Sequence, residues 1–133
     1  EGSGGVILPA LHYGRDAIVG IALVLQTLAE HGGTLSQLKA ALPQYAIAKG
    51  KIEIGGVSPD DVLETMKQRH AAAGTVNTDD GLKIDFPDAW VHLRKSNTEP
   101  IVRIIGESAT MESARALVEK FQNEIRTLIT AHG

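Results

Sequence analysis

The sequence contains no cysteine, few aromatic residues and no large excess of either charge. Without cysteine, the chain can form neither a disulfide framework nor a thiolate metal site, which is compatible with a reducing compartment. A net charge of −3 over 133 residues argues against a general role on nucleic acid or on a membrane surface, because both partners favour a strongly basic face. Any site for an anion must therefore be local.

Long hydrophobic runs are also missing. The longest apolar run, at residues 17–25, is much shorter than the roughly 20 residues that span a bilayer, and no targeting segment is apparent before it. We therefore expect a cytoplasmic protein without a membrane partner. A hydrophobic content of 43% is sufficient for a core. Because position 1 is glutamate and the first methionine is Met66, we expect the chain to begin inside a longer protein.

The first part of the chain predicts one short strand and two helices. Residues 6–8 are strand-like, and a helix is expected at residues 16–31. Apolar side chains cover this helix nearly all round, which predicts that other parts of a protein cover it on two sides. Thr34 and Gln37 form the pattern of a capping box at the start of the second helix. Since these elements cannot bury their own surfaces, we expect residues 1–45 to be the end of an α/β domain.

From about residue 46, the pattern predicts a compact α+β domain that extends to residue 133. Residues 43–50 are expected to be a connector, and residues 51–54 a strand with alternating burial. A helix is expected to begin at Ser58 and to end at Gly74. A small antiparallel sheet packed by two helices completes this unit. Its further strands are expected at residues 75–77, 82–86, 89–93 and 101–105, and its final helix after an N-cap at Thr110.

The segment between the last two strands is rich in groups that bind phosphate. Arg94 and Arg103 bracket a short turn that holds Ser96, Asn97 and Thr98. Phosphate oxygens are strong acceptors, and they are bound by guanidinium groups, hydroxyls and amides. An ordinary turn, in which Ser96 and Asn97 bond to nearby backbone, accounts for the same residues. The chemistry alone leaves both interpretations open.

Two further places carry candidate binding groups. Glu1 and Ser3 stand among glycines and could bond to vicinal sugar hydroxyls, although a glycine- and serine-rich terminus is usually a linker. His12 and Arg15 lie where a strand is expected to lead into a helix; Arg15 could reach an anion there, whereas Asp16 is more simply a helix cap. Neither metal-ligand spacing nor a nucleophile with its base is present, so we expect no metal site and no catalytic residue in this chain.

Together these segments resemble the C-terminal portion of the α-D-phosphohexomutase family, which includes phosphoglucomutase, phosphomannomutase and phosphoglucosamine mutase. The Arg-x-Ser-Asn-Thr-x-Pro sequence at residues 94–100 is similar to the phosphate-binding loop of the family's fourth domain. Residues 1–4 are similar to the sugar-binding loop of its third domain, and the spacing between the two loops fits. Gly5 departs from the family, in which many members have histidine after the sugar loop, so no sugar preference follows.

The resemblance implies a fourth, phosphate-binding domain at residues 46–133, preceded by the end of the third domain at residues 1–45. It implies an intramolecular phosphotransferase that uses a phosphoserine and a bisphosphorylated sugar intermediate. The reactive serine and the Asp-rich loop that binds Mg²⁺ lie outside this sequence, so the chain alone is expected to be inactive. The implied contacts are, for the substrate phosphate, Arg94, Ser96, Asn97, Thr98 and Arg103, and for the sugar hydroxyls, Glu1 and Ser3.

The implied partners are a hexose phosphate or hexose bisphosphate and the remaining domains of the parent chain. Two other interpretations of the same residues stay open. One is a stand-alone module that binds phosphosugars or another phosphate-bearing partner without catalysis, and the other is a purely structural α+β domain. Glucose, mannose and glucosamine phosphates are not distinguished by the sequence.

Overall fold

The structure is a computed structural model that describes residues 4–132, apart from the side chain of His132. The chain divides into two compact units, Glu1–Gln44 and Tyr45–Gly133. Four helices and one five-stranded sheet make up the regular structure of the described residues. No single helix among them is long and apolar enough to cross a membrane; the first two meet that criterion only as a pair bent by 86°.

The first unit contains two helices after an irregular segment. Helix α1 spans Ala17–His31 and begins at Asp16, whose carboxylate caps it. Helix α2 spans Leu35–Ala41, and the reciprocal hydrogen bonds between Thr34 and Gln37 form the expected capping box. Both predicted helices are therefore confirmed. The local chemistry of the caps was sufficient to locate them.

The strand predicted at residues 6–8 is wrong. In its place, one isolated bridge joins Leu8 to His12. A strand needs a neighbour for its backbone hydrogen bonds, and the described part of the first unit contains no other strand. Neither helix of this unit has a buried residue, and Ile18 and Leu25 of α1 are 79% and 59% exposed. The predicted apolar surface of α1 is thus present, but it is exposed and no other element of the described first unit buries it.

The second unit is an antiparallel sheet packed by two helices, which confirms the predicted fold class. Its strands lie in the order β1-β5-β4-β3-β2. Helix α4 packs on β1 and β5, and helix α3 packs on β3 and β4. Along the chain, the elements are β1 (Ala46–Glu53), α3 (Pro59–His70), β2 (Thr75–Asn77), β3 (Leu82–Asp85), β4 (Ala89–Lys95), β5 (Ile101–Ser108) and α4 (Met111–His132).

The connector expected at residues 43–50 is wrong, because β1 already begins at Ala46. The inward positions in this half of the strand are Ala48 and Gly50, which are too small to produce a clear alternation of apolar and polar residues. A Cβ on Gly50 would lie 2.7 Å from the side chain of Val118. The close approach of α4 therefore requires the small residues that hide the strand in the sequence.

Helix α3 ends at His70 and not at Gly74 as expected. The backbone turns there, with the amide of Ala73 donating to the carbonyl of His70 at 2.9 Å. Gly74 is already close to β3, since a Cβ at this position would lie 2.4 Å from the carbonyl oxygen of Asp85. This glycine allows the chain to approach the end of β3 closely at the start of β2, and it does not cap the helix.

The core of the second unit lies between the sheet and its helices. Phe121 of α4 is completely buried, and its ring centroid lies 4.7 Å from that of the buried His70. The Nε2 atom of His70 lies 2.7 Å from a carboxylate oxygen of Glu124 and so links α3 to α4. On the sheet, Val102 and Ile104 are fully buried and Arg103 between them is exposed. We call the sheet face that carries Arg103, turned away from α3 and α4, the outer face.

Candidate phosphate-binding site

Two arginines face each other where β4 and β5 meet the loop at residues 96–100. Arg94 and Arg103 are direct partners in the antiparallel register, and both are exposed. Side chains at such positions have β-carbons about 5 Å apart on one face of the sheet. Strand pairing thus brings together two of the residues predicted to bind phosphate.

Ser96 and Thr98 shape the loop between these arginines. The amide of Ser96 donates to the carbonyl of Ile101 at 3.1 Å, and the amide of Thr98 lies 3.4 Å from the hydroxyl of Ser96. The two hydroxyl oxygens are 3.4 Å apart. These are the local bonds of an ordinary turn. Both hydroxyls nevertheless lie at the loop surface, where they can also meet a ligand.

Asn97 and Arg103 are in a different situation. Within residues 4–132, Asn97 makes no hydrogen bond and Arg103 makes no ion pair. Their available donors are a guanidinium group, a side-chain amide and one backbone N–H, which are the types of group that bind phosphate. An anion could engage them without breaking any contact inside the protein.

Arg94 is held by a residue that the sequence analysis did not select. Its Nη2 atom lies 3.1 Å from Oδ2 of Asp80, in the turn between β2 and β3. The next residue, Gly81, has φ +79°, and a Cβ there would lie 2.3 Å from the carbonyl oxygen of Leu93. The imidazole of His92 donates from Nε2 to the carbonyl of Asp80 at 2.5 Å. Glycine therefore allows the turn to approach β4 closely enough to position Arg94.

A cleft of about 670 Å³ borders the loop. It lies between the first turns of α3, the turn between β2 and β3, and the end of β4, and Arg94 and Asn97 contribute to its lining. Lys95 also lines it and is paired with Asp60 at 2.7 Å. The positive charge of Arg94 and Lys95 in this cleft is therefore largely neutralised by carboxylates. Arg103, in contrast, keeps its charge free on the outer face.

His12 has a local role in the first unit. Its Nε2 donates to Oδ2 of Asp16 at 3.0 Å, and its Nδ1 accepts from the amide of Gly14 at 3.0 Å. The amide of Val19 and the His12 imidazole both donate to the Asp16 carboxylate and hold its pKa below the usual value for aspartate. His12 thus orients the residue that caps α1. Contact of Arg15 with an anion stays a prediction.

Two predicted contacts, Glu1 and Ser3, lie outside the described residues. Among residues 4–132, no three Asp, Glu or His side chains come together in a way that could hold a metal ion.

Two family models match the chain. The one described as "Phosphoglucomutase/phosphomannomutase, C-terminal domain" matches residues 54–124. The one described as "Phosphoglucomutase/phosphomannomutase, alpha/beta/alpha domain III" matches residues 1–45. The chain belongs to the phosphoglucomutase/phosphomannomutase family. This result confirms the family that the loop sequences predicted.

Curated members of the phosphoglucomutase/phosphomannomutase family with similar sequences are much longer than this chain. A phosphoglucomutase/phosphomannomutase of Thermococcus kodakarensis is 36% identical over 119 residues, which cover 90% of this chain and 26% of the relative. A phosphoglucosamine/phosphogalactosamine mutase of Sulfurisphaera tokodaii is 31% identical over 131 residues, which cover 97% of this chain and 28% of the relative. The chain thus spans little more than a quarter of the length of either relative.

The fold agrees with a solved structure of the same family. A phosphoglucomutase/phosphomannomutase family protein of Burkholderia thailandensis superimposes with a TM-score of 0.57 at 24% sequence identity. The match covers 90% of this chain and 24% of that protein. At this level of identity, the likeness concerns the fold alone.

Proposed function

We propose that this chain is the phosphate-binding, C-terminal part of a phosphohexomutase, an enzyme that moves a phosphoryl group between two positions of a hexose. In this proposal, residues 46–133 form the fourth domain and residues 1–45 the end of the third. The observation that carries it is the register of Arg94 and Arg103 beside the loop. Two like charges in direct opposition destabilise a sheet; Asp80 offsets part of the charge of Arg94, and a phosphate at the loop would compensate that of Arg103.

The phosphate that is not being transferred occupies the loop. Arg103 and Asn97 bind it through side-chain donors that have no other partner within residues 4–132. Arg94 joins them from its position against Asp80, and the hydroxyls of Ser96 and Thr98 complete the contacts. A guanidinium group can donate two parallel hydrogen bonds to two oxygens of one phosphate. Such bonds orient the ligand and compensate its charge.

The other predicted contacts concern the sugar and the first unit. Glu1 and Ser3 hold the ring hydroxyls, and Arg15 and His12 are further candidates for contact with an anion. His12 is the weaker of the last two, because both of its ring nitrogens already serve the start of α1. Testing Arg15 requires the longer protein, in which the first unit has its expected neighbours.

This part of the enzyme contributes to the rate by positioning the substrate. Phosphoryl transfer depends mainly on alignment and on compensation of charge. The phosphoserine and the ligands of Mg²⁺ would lie elsewhere in the longer protein, where the bound ion would compensate phosphoryl charge. The second unit has its own core, so it can move as one body over the substrate-binding cleft of the longer protein and exclude water from it. Cytoplasmic location is part of the same proposal.

Binding of glucose 1-phosphate to the 133-residue chain tests the loop. Arg103→Gln should weaken binding about tenfold or more, since a hydrogen bond to a charged group contributes about 1.5–3 kcal/mol. Arg115→Gln is the matched control, because Arg115 is exposed on α4, away from the loop. If both variants bind as tightly as the unchanged chain, Arg103 does not bind the phosphate, as the purely structural interpretation of the loop predicts.

Assays of mutase activity separate the enzyme from a stand-alone binding module. The 133-residue chain alone should not convert glucose 1-phosphate, and conversion by this chain would contradict the proposal. In the longer protein, Arg103→Gln should lower mutase activity while Arg115→Gln leaves it unchanged. Phosphosugar binding without mutase activity in the longer protein would favour the module. Parallel assays with glucose, mannose and glucosamine phosphates would identify the substrate.

A further inference from the structure

Three cationic side chains lie in register across neighbouring strands of the outer face. Lys51 of β1 pairs with Arg103 of β5, which pairs in turn with Arg94 of β4. Neighbouring strands are about 4.8 Å apart, so Lys51 and Arg94 stand on either side of Arg103. Like charges directly opposite one another are destabilising. Residues 4–132 supply no anion to Lys51 or Arg103, so a bound anion would relieve the repulsion within this cationic row.

The orientation of Lys51 follows from its neighbours on β1. Ile52 is buried, and Gly50 is so close to α4 that a Cβ there would lie 2.7 Å from Val118. Because side chains alternate along a strand, Lys51 points to the outer face, where it is exposed. Glu53 is the nearest carboxylate on the same side of the strand, and it forms no ion pair with Lys51 in the described structure.

We infer that Lys51 is a third cation of the phosphate site and that its ammonium group binds the same phosphate as Arg103. This inference rests on the proposed function, in which the loop between β4 and β5 binds a phosphosugar. Arg94 shares its charge with Asp80, so Lys51 and Arg103 are the two unshared cations of the row. Two unshared cations match the charge of a phosphate dianion.

A lysine differs from an arginine in a way that suits this position. Its ammonium is a compact charge on a flexible stem, and it binds phosphate without a fixed geometry. In the proposed reaction, the loop receives the sugar in two orientations, because each end of the bisphosphate must be presented in turn. The flexible side chain of Lys51 can keep its ammonium group near the phosphate in both orientations. The arginines bind the same phosphate with pairs of parallel hydrogen bonds.

Lys49 provides a matched control on the same strand. It has the same charge, lies on the same face two residues earlier, and is exposed without an ion pair in the described structure. Its partner in β5 is Ile105 and not an arginine. The two lysines therefore differ mainly in whether they stand beside Arg103.

Binding of glucose 1-phosphate and of inorganic phosphate to the 133-residue chain tests the inference, with glucose as the uncharged probe. Lys51→Gln should weaken the binding of both phosphate probes about fivefold, which corresponds to about 1 kcal/mol. Lys49→Gln should change it less than about twofold, since Lys49 lies about 7 Å farther along the strand and acts on the phosphate only through solvent, without direct contact. Lys51→Arg should retain most of the affinity. In an Arg103→Gln background, Lys51→Gln should have a different effect, because residues that share a ligand are not independent.

The outcomes separate this inference from the proposed function. If Arg103→Gln weakens binding and Lys51→Gln behaves like Lys49→Gln, Lys51 is not part of the site and the proposed function stands. Equal, large losses in both lysine variants would mean that the face acts only through its general charge, and would also overturn the inference. If neither Arg103→Gln nor Lys51→Gln changes binding, the proposed function itself is wrong.

Discussion

The two units differ most clearly in what their longest helices bury. Helix α1 has 15 residues and buries none of them. Helix α4 has 22 residues and packs against β1 and β5, with Phe121 and Ile125 completely buried. Both helices carry many apolar residues, so apolar content alone does not produce a core. A core also needs an opposite surface, which α4 finds within the second unit and α1 does not find within the first.

The candidate phosphate site lies in the unit that has its own core. Its arginines are placed by the register of β4 and β5, and Val102 and Ile104 anchor β5 from the other face. A site on paired strands is held more precisely than one on a free loop. The geometry around Arg103 should therefore be independent of the first unit. Three experiments test whether only the second unit has a core of its own.

Replacement of a core residue should have the largest effect. Phe121→Ala should lower the free energy of unfolding of the second unit by about 3–5 kcal/mol, because the ring is fully buried. Leu25→Ala, on the exposed surface of α1, should change that value by less than about 0.5 kcal/mol. Urea unfolding followed by the fluorescence of Trp90, the single tryptophan, measures it. Equal losses in the two variants would mean that the units share one core.

Alanine substitution at two glycines with positive φ should give a smaller difference between the units, again with the larger loss of stability in the second unit. Gly81→Ala should destabilise the second unit by about 2–4 kcal/mol, because a left-handed conformation costs about 1–2 kcal/mol and the new Cβ meets the carbonyl of Leu93. Gly32→Ala, at the end of α1, has no atom within 4 Å of the new Cβ and should cost only about 1–2 kcal/mol of helix stability. Tryptophan fluorescence and circular dichroism measure the two losses. A larger loss for Gly32→Ala would contradict the close packing described at Gly81.

Acid should produce the smallest effect, at the start of α1. The amide of Val19 and the imidazole of His12 lower the pKa of Asp16 in the folded state. The stabilisation from this cap is complete above the unfolded pKa of Asp16 and is lost as the pH falls through its lower, folded pKa. The amide resonance of Val19 should report this transition in an NMR pH titration. Asp16→Asn retains a cap that does not titrate, so the same transition in that variant would assign it to another group.

The sequence was most informative where a structure depends on residues that are close together along the chain. Helix caps, the period of α4 and the residues of the loop could be read directly. Strand β1 was missed in part because Ala48 and Gly50 are small where α4 approaches, and the strand at residues 6–8 was predicted from residues that lack a pairing strand in the described unit. Asp80 and Lys51 could not be selected, because only strand pairing places them beside Arg94 and Arg103.

The most direct test of phosphate binding by the second unit is an NMR titration of the isotope-labelled chain with glucose 1-phosphate. We predict saturable shifts that are concentrated at the amides of Asn97, Thr98 and Arg103, with little change along α1. Inorganic phosphate should shift the same amides, and glucose should not. Saturable shifts centred elsewhere, or none at the loop, would contradict a phosphate site between β4 and β5.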